Sequence, residues 1–111
     1  MKQLLDKKVT VYIDRPIGSH HPKYNDMIYS VNYGYIKDII APDKEYQDAY
    51  VLGINEPIKK CEGTVIAIVN RINDIEDKII VSIDDKRYTK EEIESQIYFQ
   101  EKYFKHNILT S

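Results

Sequence analysis

The strongest constraint on the fold of this chain is an almost unbroken apolar run, TVIAIV, within residues 63–71. β-Branched residues dominate the run, and they favour an extended backbone. Because polar residues do not alternate with the apolar ones, the run predicts a strand that is buried on both faces. A polar turn over residues 73–77 follows, and a second β-rich segment spans residues 78–83. These two segments are expected to pair as a hairpin.

Segments nearer the N-terminus also have strand patterns. Val9, Val11 and Ile13 alternate with Thr10 and Tyr12, and this period of two predicts a strand. Pro16 and Gly18 then end the pattern, because both residue types favour turns. The predicted strands cover residues 8–14, 27–37 with a continuation over 38–40, 48–53, 63–71 and 78–83, with an additional edge strand allowed at 107–109.

The C-terminal part of the chain predicts one helix. The sequence TKEE at residues 89–92 is a capping box, in which the Thr89 hydroxyl and the Glu92 carboxylate satisfy free backbone N–H groups. The helix is expected to run to about Phe104. One of its faces is expected to lie on the sheet, and that face carries Ile93, Ile97, Gln100 and Phe104.

This order of elements predicts the fold class. Five or six short strands followed by one helix indicate a mainly β or α+β protein. We expect a small, closed or partly open five-stranded (OB-like) β-barrel with the C-terminal helix packed on it. The chain has 111 residues, which corresponds to a single domain over 1–111.

Composition excludes several classes of function. The formal net charge is −2, so there is no basic excess to bind nucleic acid. Cys61 is the only cysteine, which excludes an internal disulfide and a cysteine-based zinc site. The first eight residues lack the apolar core of a signal peptide, and no stretch approaches the ~18 apolar residues of a membrane span. We therefore expect a cytoplasmic protein without a membrane partner.

Acidic residues cluster beside the predicted strands. Two clusters, at residues 43–48 and 74–78, flank strand ends, and a third is Asp84-Asp85. Acidic turns are commonly only solvated turns, so the pattern alone favours that interpretation. If the first two strand ends are neighbours, however, the clustered carboxylates converge and need a cation, and such hard oxygen ligands select Mg²⁺, Mn²⁺ or Ca²⁺. The converging residues would be Asp43, Glu45, Asp48, Asp74 and Asp77.

Cationic residues near the same clusters suggest phosphate as the ligand. Lys78, together with Arg71 or Arg15, is placed to hold the charge of a phosphate group. The loop after the first strand adds His20, His21 and Lys23. These three side chains either supply further phosphate contacts or belong to a solvated loop.

Several motifs carry a resemblance to a known family. The segment NYGYI at residues 32–36 is preceded by Asp14-Arg15 and followed by an acidic triad of the form Asp-x-Glu-x-x-Asp at residues 43–48. In order and spacing these motifs resemble those of family I soluble inorganic pyrophosphatases, whose triad is Asp-x-Asp-x-x-Asp. The later family pattern, Asp-several-Asp-x-Lys, resembles residues 74–78, and FQEKY at 99–103 resembles the family's helix with a functional tyrosine. The match covers roughly residues 13–105, so the chain resembles a short member.

The resemblance implies a fold, an activity and a set of site residues. It implies a five-stranded barrel, Mg²⁺ (or Mn²⁺) as cofactor, and hydrolysis of pyrophosphate to two phosphates by a metal-activated water. It also allows a homo-oligomer. By resemblance, the metal ligands are Asp43, Asp48, Asp74 and Asp77, the catalytic residues are Glu45 as base and Tyr33 as support, and the substrate ligands are Arg15, Lys78 and Tyr103.

Two alternatives remain open at the level of sequence. The same barrel suits a non-catalytic domain that binds metal or phosphate, a nucleotide or a protein partner. The ten tyrosines also suit a barrel that stacks single-stranded nucleic acid, although the acidic clusters oppose this interpretation.

Overall fold

A computed structural model of the chain describes residues 1–72, 74 and 76–110. Within these residues it contains six strands, one α-helix and two 3₁₀ helices. None of the helices in this part of the chain has the length and apolar character needed to span a membrane. The strands are β1 Lys8–Arg15, β2 Asn32–Ile40, β3 Tyr46–Leu52, β4 Lys60–Arg71, β5 Lys78–Ser82 and β6 His106–Thr110; the α-helix is α1 Lys90–Glu101, and the 3₁₀ helices are Lys2–Leu4 and Ile83–Asp85.

Five strands close into a barrel. The strands are hydrogen-bonded in the order β1-β2-β3-β5-β4, and β1 also pairs with β4. The β3–β5 pair is parallel and the other pairs are antiparallel. β6 pairs with β4 as an extra strand outside the five that close the barrel. The structure therefore confirms the predicted mainly β fold, the β4–β5 hairpin and the helix near the C-terminus.

Several element boundaries differ from the prediction, and the hydrogen bonds explain the differences in β2 and α1. β2 begins at Asn32 and not at residue 27. The segment before it folds back on the preceding loop, because the backbone of Tyr29 bonds to both Gly18 and Ser19. The helix ends at Glu101 and not at Phe104, because tighter backbone bonds such as Phe104 N to Glu101 O close its last turn.

The barrel strands have a different apolar cluster on each face. Tyr50 of β3 and Ile80 of β5 belong to the cluster that also contains Ile93 and Ile97 of α1. The neighbouring strand residues, such as Val51, belong to the opposite cluster. This alternation follows from the two-residue period of a strand. It identifies the face of the sheet that α1 covers.

Strands β1 and β2 approach each other closely at Gly34. A Cβ atom on this residue would lie 1.9 Å from the backbone oxygen of Tyr12, so β1 and β2 cannot accept a larger residue without moving apart. We expect Gly34→Ala to lower the free energy of unfolding by about 1–3 kcal/mol or more, measured by urea denaturation. Asp38→Ala changes an exposed residue of the same strand and should stay within about 0.5 kcal/mol. An unchanged midpoint for Gly34→Ala would contradict the described β1–β2 contact.

Candidate active site

An open cleft of about 800 Å³ lies beside the C-terminal end of α1. It is bounded by the ends of β3, β4 and β5 and by the loop that follows β1. Three cations, three carboxylates and several aromatic rings line it. The lining residues are Arg15, His21, Tyr24, Asp26, Met27, Tyr33, Asp48, Arg71, Glu76, Lys78, Gln100, Tyr103 and Phe104.

Strand alternation explains why charged residues meet in this cleft. Asp48 is two residues from Tyr50 on β3, and Lys78 is two residues from Ile80 on β5. Residues two apart on a strand share a face. The face that carries the apolar cluster under α1 therefore continues into the cleft, and its charged residues lie beyond the end of the helix.

Lys78 is the centre of one charge cluster. Its side chain is 4% exposed, and its Nζ lies 2.7 Å from Asp48 Oδ2 and 3.4 Å from Glu76 Oε2. The ammonium also lies 5.8 Å from the centre of the Tyr33 ring. Burial, and then the nearby Asp48 carboxylate, raises the pKa of Tyr33 well above its ordinary value. Tyr33 therefore keeps its proton, and its hydroxyl is hydrogen-bonded to Asp48.

Arg71 is held by a buried carboxylate. Its Nε and Nη2 donate to the two oxygens of Glu101 at 3.0 and 2.7 Å, and its guanidinium lies 3.7 Å from the centre of the Phe104 ring. Burial opposes the charge, but the Glu101 hydrogen bonds and charge raise the pKa of Arg71 overall. Arg71 lines the cleft, yet most of its donor capacity is already used by the protein.

A chain of buried hydrogen bonds connects Arg15 with Glu101. Arg15 Nη1 donates to the Tyr29 hydroxyl at 2.7 Å, and this hydroxyl donates to Gln100 Oε1 at 2.7 Å. Gln100 Nε2 donates to the Tyr50 hydroxyl at 2.6 Å, which donates to Glu101 Oε2 at 2.6 Å. The two arginines of the cleft are thus fixed by one network, which the sequence analysis did not predict.

Of the predicted metal ligands, Asp48 is the one that lines the cleft. Asp77 accepts hydrogen bonds from the Asn70 side chain at 3.2 and 3.3 Å and from Arg71 N at 3.2 Å. Its carboxylate therefore closes the turn between β4 and β5. Asp74 accepts from Glu76 N at 3.1 Å and lies 3.4 Å from Arg71 Nη1, so it borders the cleft through that arginine.

Asp43 and the predicted base Glu45 lie in the turn between β2 and β3. Asp43 Oδ1 accepts from Glu45 N at 3.0 Å, which is an Asx turn. Glu45 is exposed, and neither side chain lines the cleft. In the part of the chain that the structure describes, no three His, Cys, Asp or Glu side chains form a group that could hold a metal ion.

Glu76 is a cleft residue that the sequence analysis missed. It precedes Lys78 by two residues and lines the cleft with it, whereas Asp77 faces the turn. Residues two positions apart in an extended segment lie on the same side. The spacing Asp-x-Lys in the family pattern therefore pointed to the acidic residue two positions before Lys78. In this chain that residue is Glu76.

The predicted substrate ligands are brought together. Arg15, Lys78 and Tyr103 all line the cleft, and so does Tyr33. Arg15 donates to Tyr29, and no described carboxylate lies within salt-bridge distance of its guanidinium. Arg15 therefore differs from Arg71 and Lys78, which are already paired.

Two of the three carboxylates that line the cleft are candidates to contact a hydrated Mg²⁺ ion. Asp48 and Glu76 both contact the Lys78 ammonium, and their side chains are 38% and 42% exposed. Mg²⁺ commonly uses one or two carboxylates, several waters and the phosphates of a substrate. Asp48 and Glu76 are therefore better suited to a Mg²⁺ ion that is also bound by a phosphate ligand than to one that is bound by protein oxygens alone.

Comparisons with known proteins give a structural likeness. No protein-family model matches the sequence, and no similar protein is found among the curated proteins. Among solved structures, the inorganic pyrophosphatase from Helicobacter pylori has a TM-score of 0.67 at 16% identity, over 95% of this chain and 85% of that one. The Ehrlichia chaffeensis enzyme gives 0.69 at 16%, over 93% and 85%. The Thermus thermophilus enzyme gives 0.61 at 16%, over 91% and 79%.

These similarities show which fold the chain has. The chain has the barrel of family I inorganic pyrophosphatases, and it carries a charged cleft at the end of its helix. At such identities the likeness is one of fold.

Proposed function

We propose that the chain binds pyrophosphate, or a related phosphoanhydride, in the cleft and hydrolyses it to phosphate. The observation that carries this proposal is that Arg15, Lys78 and Tyr103, which were predicted as phosphate ligands, line one cleft together with Asp48. Fixed cationic donors stabilise both a bound phosphate and the charge that develops during phosphoryl transfer. The fold shared with pyrophosphatases supports the same substrate class.

Arg15 is proposed as the main phosphate anchor. Its guanidinium is planar and permanently charged, and it suits two phosphate oxygens at once. Tyr29 fixes its orientation through the 2.7 Å hydrogen bond, so little side-chain freedom is lost on binding. Tyr33 also lines the cleft and keeps its hydroxyl proton, which its hydrogen bond to Asp48 uses.

Asp48 and Glu76 are proposed to hold the Mg²⁺ ion of the substrate complex. When bound, the ion neutralises phosphate charge and makes water a better nucleophile. Lys78 keeps the two carboxylates together before the ligand arrives, because its ammonium contacts both. Water then attacks phosphorus directly, the anhydride bond breaks, and no covalent intermediate with the protein forms. The roles of Asp43, Asp74 and Asp77 as ligands and of Glu45 as base stay predictions, as do a cytoplasmic location and a homo-oligomer.

The test of this function is release of phosphate from pyrophosphate with and without Mg²⁺. We expect release to require Mg²⁺ and to fall by about 10² in Asp48→Asn, because the amide is a weaker ligand and leaves Lys78 less neutralised. Asp38→Asn, on an exposed part of β2, is the matched control and should keep the wild-type rate. Equal low release in all samples would reject the proposal.

A second candidate is a non-catalytic domain that binds the same anion. The position of Asp43 and Glu45 in an exposed turn favours it, since a hydrolase would need a base near the substrate. Thermal unfolding separates the two candidates. A ligand at 100 times its Kd stabilises the folded state by about 2.7 kcal/mol, so stabilisation by pyrophosphate without phosphate release identifies this second function.

A further inference from the structure

The loop between β1 and β2 forms an ordered wall of the cleft. Backbone hydrogen bonds of 2.9 Å join Gly18 N to Tyr29 O, Tyr29 N to Ser19 O, and His21 N to Met27 O. These bonds fold the loop back on itself beside the cleft. The sequence left open whether this loop is merely solvated, and the structure shows that His21 lines the cleft.

The ring of His21 is fixed in one orientation. Its Nδ1 accepts hydrogen bonds from the backbone N–H groups of Lys23 at 3.0 Å and Tyr24 at 3.2 Å. The ring also stacks on Tyr29, with centroids 6.3 Å apart and planes 8° apart. A nitrogen that accepts hydrogen bonds carries no hydrogen, so the neutral ring has its hydrogen on Nε2.

The surroundings of His21 favour that neutral form. Burial, and then the charges of Arg15 and Lys23, lowers the pKa of His21 below its ordinary value of 6.5. The imidazole therefore stays uncharged near neutral pH. Among the described residues nothing accepts a hydrogen bond from Nε2, which leaves this N–H available to a ligand in the cleft.

We propose that His21 is a substrate-binding residue, which donates its Nε2 hydrogen to a phosphate oxygen of the anion held by Arg15. His21 and Arg15 both contact Tyr29, one by stacking and the other through a 2.7 Å hydrogen bond. Both residues also line the same cleft, which is why one phosphate is proposed to contact both. This inference rests on the proposed function. It makes the loop between β1 and β2 the part of the site that recognises a terminal phosphate.

His20 offers a matched control in the same loop. It is exposed, it does not line the cleft, and its Nδ1 lies 2.6 Å from Asn25 O. A change at His20 alters the loop by a similar amount but removes no donor from the cleft. The two adjacent histidines therefore separate ligand contact from loop structure.

The variants test the Nε2 donor without removing the loop contacts. In His21→Asn, the side-chain oxygen can still accept from the Lys23 and Tyr24 amides, as Asn commonly does in turns, but no group replaces Nε2–H. We expect calorimetric binding of pyrophosphate, measured without Mg²⁺ so that the ligand is not hydrolysed, to weaken by about 10- to 100-fold. His20→Asn should bind within about twofold of wild type, and His21→Gln should recover part of the loss because its amide extends further.

A second readout works on the unmodified protein. Addition of pyrophosphate should shift the ¹⁵N and ¹H signals of His21 Nε2 and leave those of His20 in place. If the wild-type protein binds pyrophosphate, while His21→Asn binds equally and the Nε2 signal does not move, this inference is wrong and the proposed function stands. If the wild-type protein does not bind pyrophosphate, both are wrong. If His21→Asn fails to fold, the wild-type signals decide.

Discussion

We expect Arg15→Met to lower the proposed rate of pyrophosphate hydrolysis by about 10²- to 10³-fold, the cost of removing one fixed donor to the reacting group. Methionine keeps an unbranched apolar side chain at this position and removes the guanidinium, whose central carbon lies 5.7 Å from the centres of the Tyr29 and Tyr33 rings. Arg15 is singled out because Arg71 and Lys78 are already paired with carboxylates. The measurement is phosphate release at saturating Mg²⁺.

Two further variants make this result specific. Arg15→Lys retains the charge but not the planar fork of donors. Its rate of phosphate release should lie between those of wild type and Arg15→Met. Lys90→Met removes an exposed cation at the start of α1, and it should hydrolyse pyrophosphate at the wild-type rate. A wild-type rate in Arg15→Met would show that the phosphate does not bind at this arginine.

Glu101→Gln lowers the free energy of unfolding by about 3–5 kcal/mol, because it leaves the buried charge of Arg71 without its partner. Glu101 is fully buried, and it also accepts the hydroxyl of Tyr50. Such a loss is a large part of the 5–15 kcal/mol that stabilises a typical domain. In thermal unfolding we expect Tm to fall by roughly ten degrees or more.

The control variant lies on the same helix as Glu101, and the rescue variant replaces both members of the ion pair. Glu91→Gln, at an exposed position of α1, should change stability by less than about 0.5 kcal/mol. Arg71→Met combined with Glu101→Leu should recover most of the loss, since two apolar residues often replace a buried ion pair without cost. A Tm for Glu101→Gln close to that of wild type would contradict the described buried pair.

The sequence was sufficient to predict the elements whose signals are local. The apolar run that contains Val65 and Ile68 pairs with β5 as the expected hairpin. The capping box is formed as predicted, with Glu92 N donating to Thr89 Oγ1 at 3.1 Å and Thr89 N donating to Glu92 Oε1 at 2.8 Å. Both features depend on residues close in the sequence or on strand period, which a single sequence records.

The site was less predictable because it depends on distant contacts. Tyr29 and Gln100 are separated by 71 positions, and no spacing rule connects them. The same limit applies to Asp77, whose predicted role as a metal ligand stays a prediction: its carboxylate bonds within the turn, and Glu76 lines the cleft. Glu76 and Asp77 are adjacent in the sequence, but their side chains point in different directions. Which of the two carboxylates contacts Lys78 is known only once the position of β5 is known.

The most direct test of the account is a ³¹P NMR time course of pyrophosphate with the wild-type protein and Mg²⁺, beside Arg15→Met. We expect the pyrophosphate signal to disappear in the wild-type sample, two phosphates to appear for each pyrophosphate consumed, and conversion in the Arg15→Met sample to be slower by about 10²-fold or more. A pyrophosphate signal that persists in the wild-type sample, or equal conversion in the two samples, would contradict it.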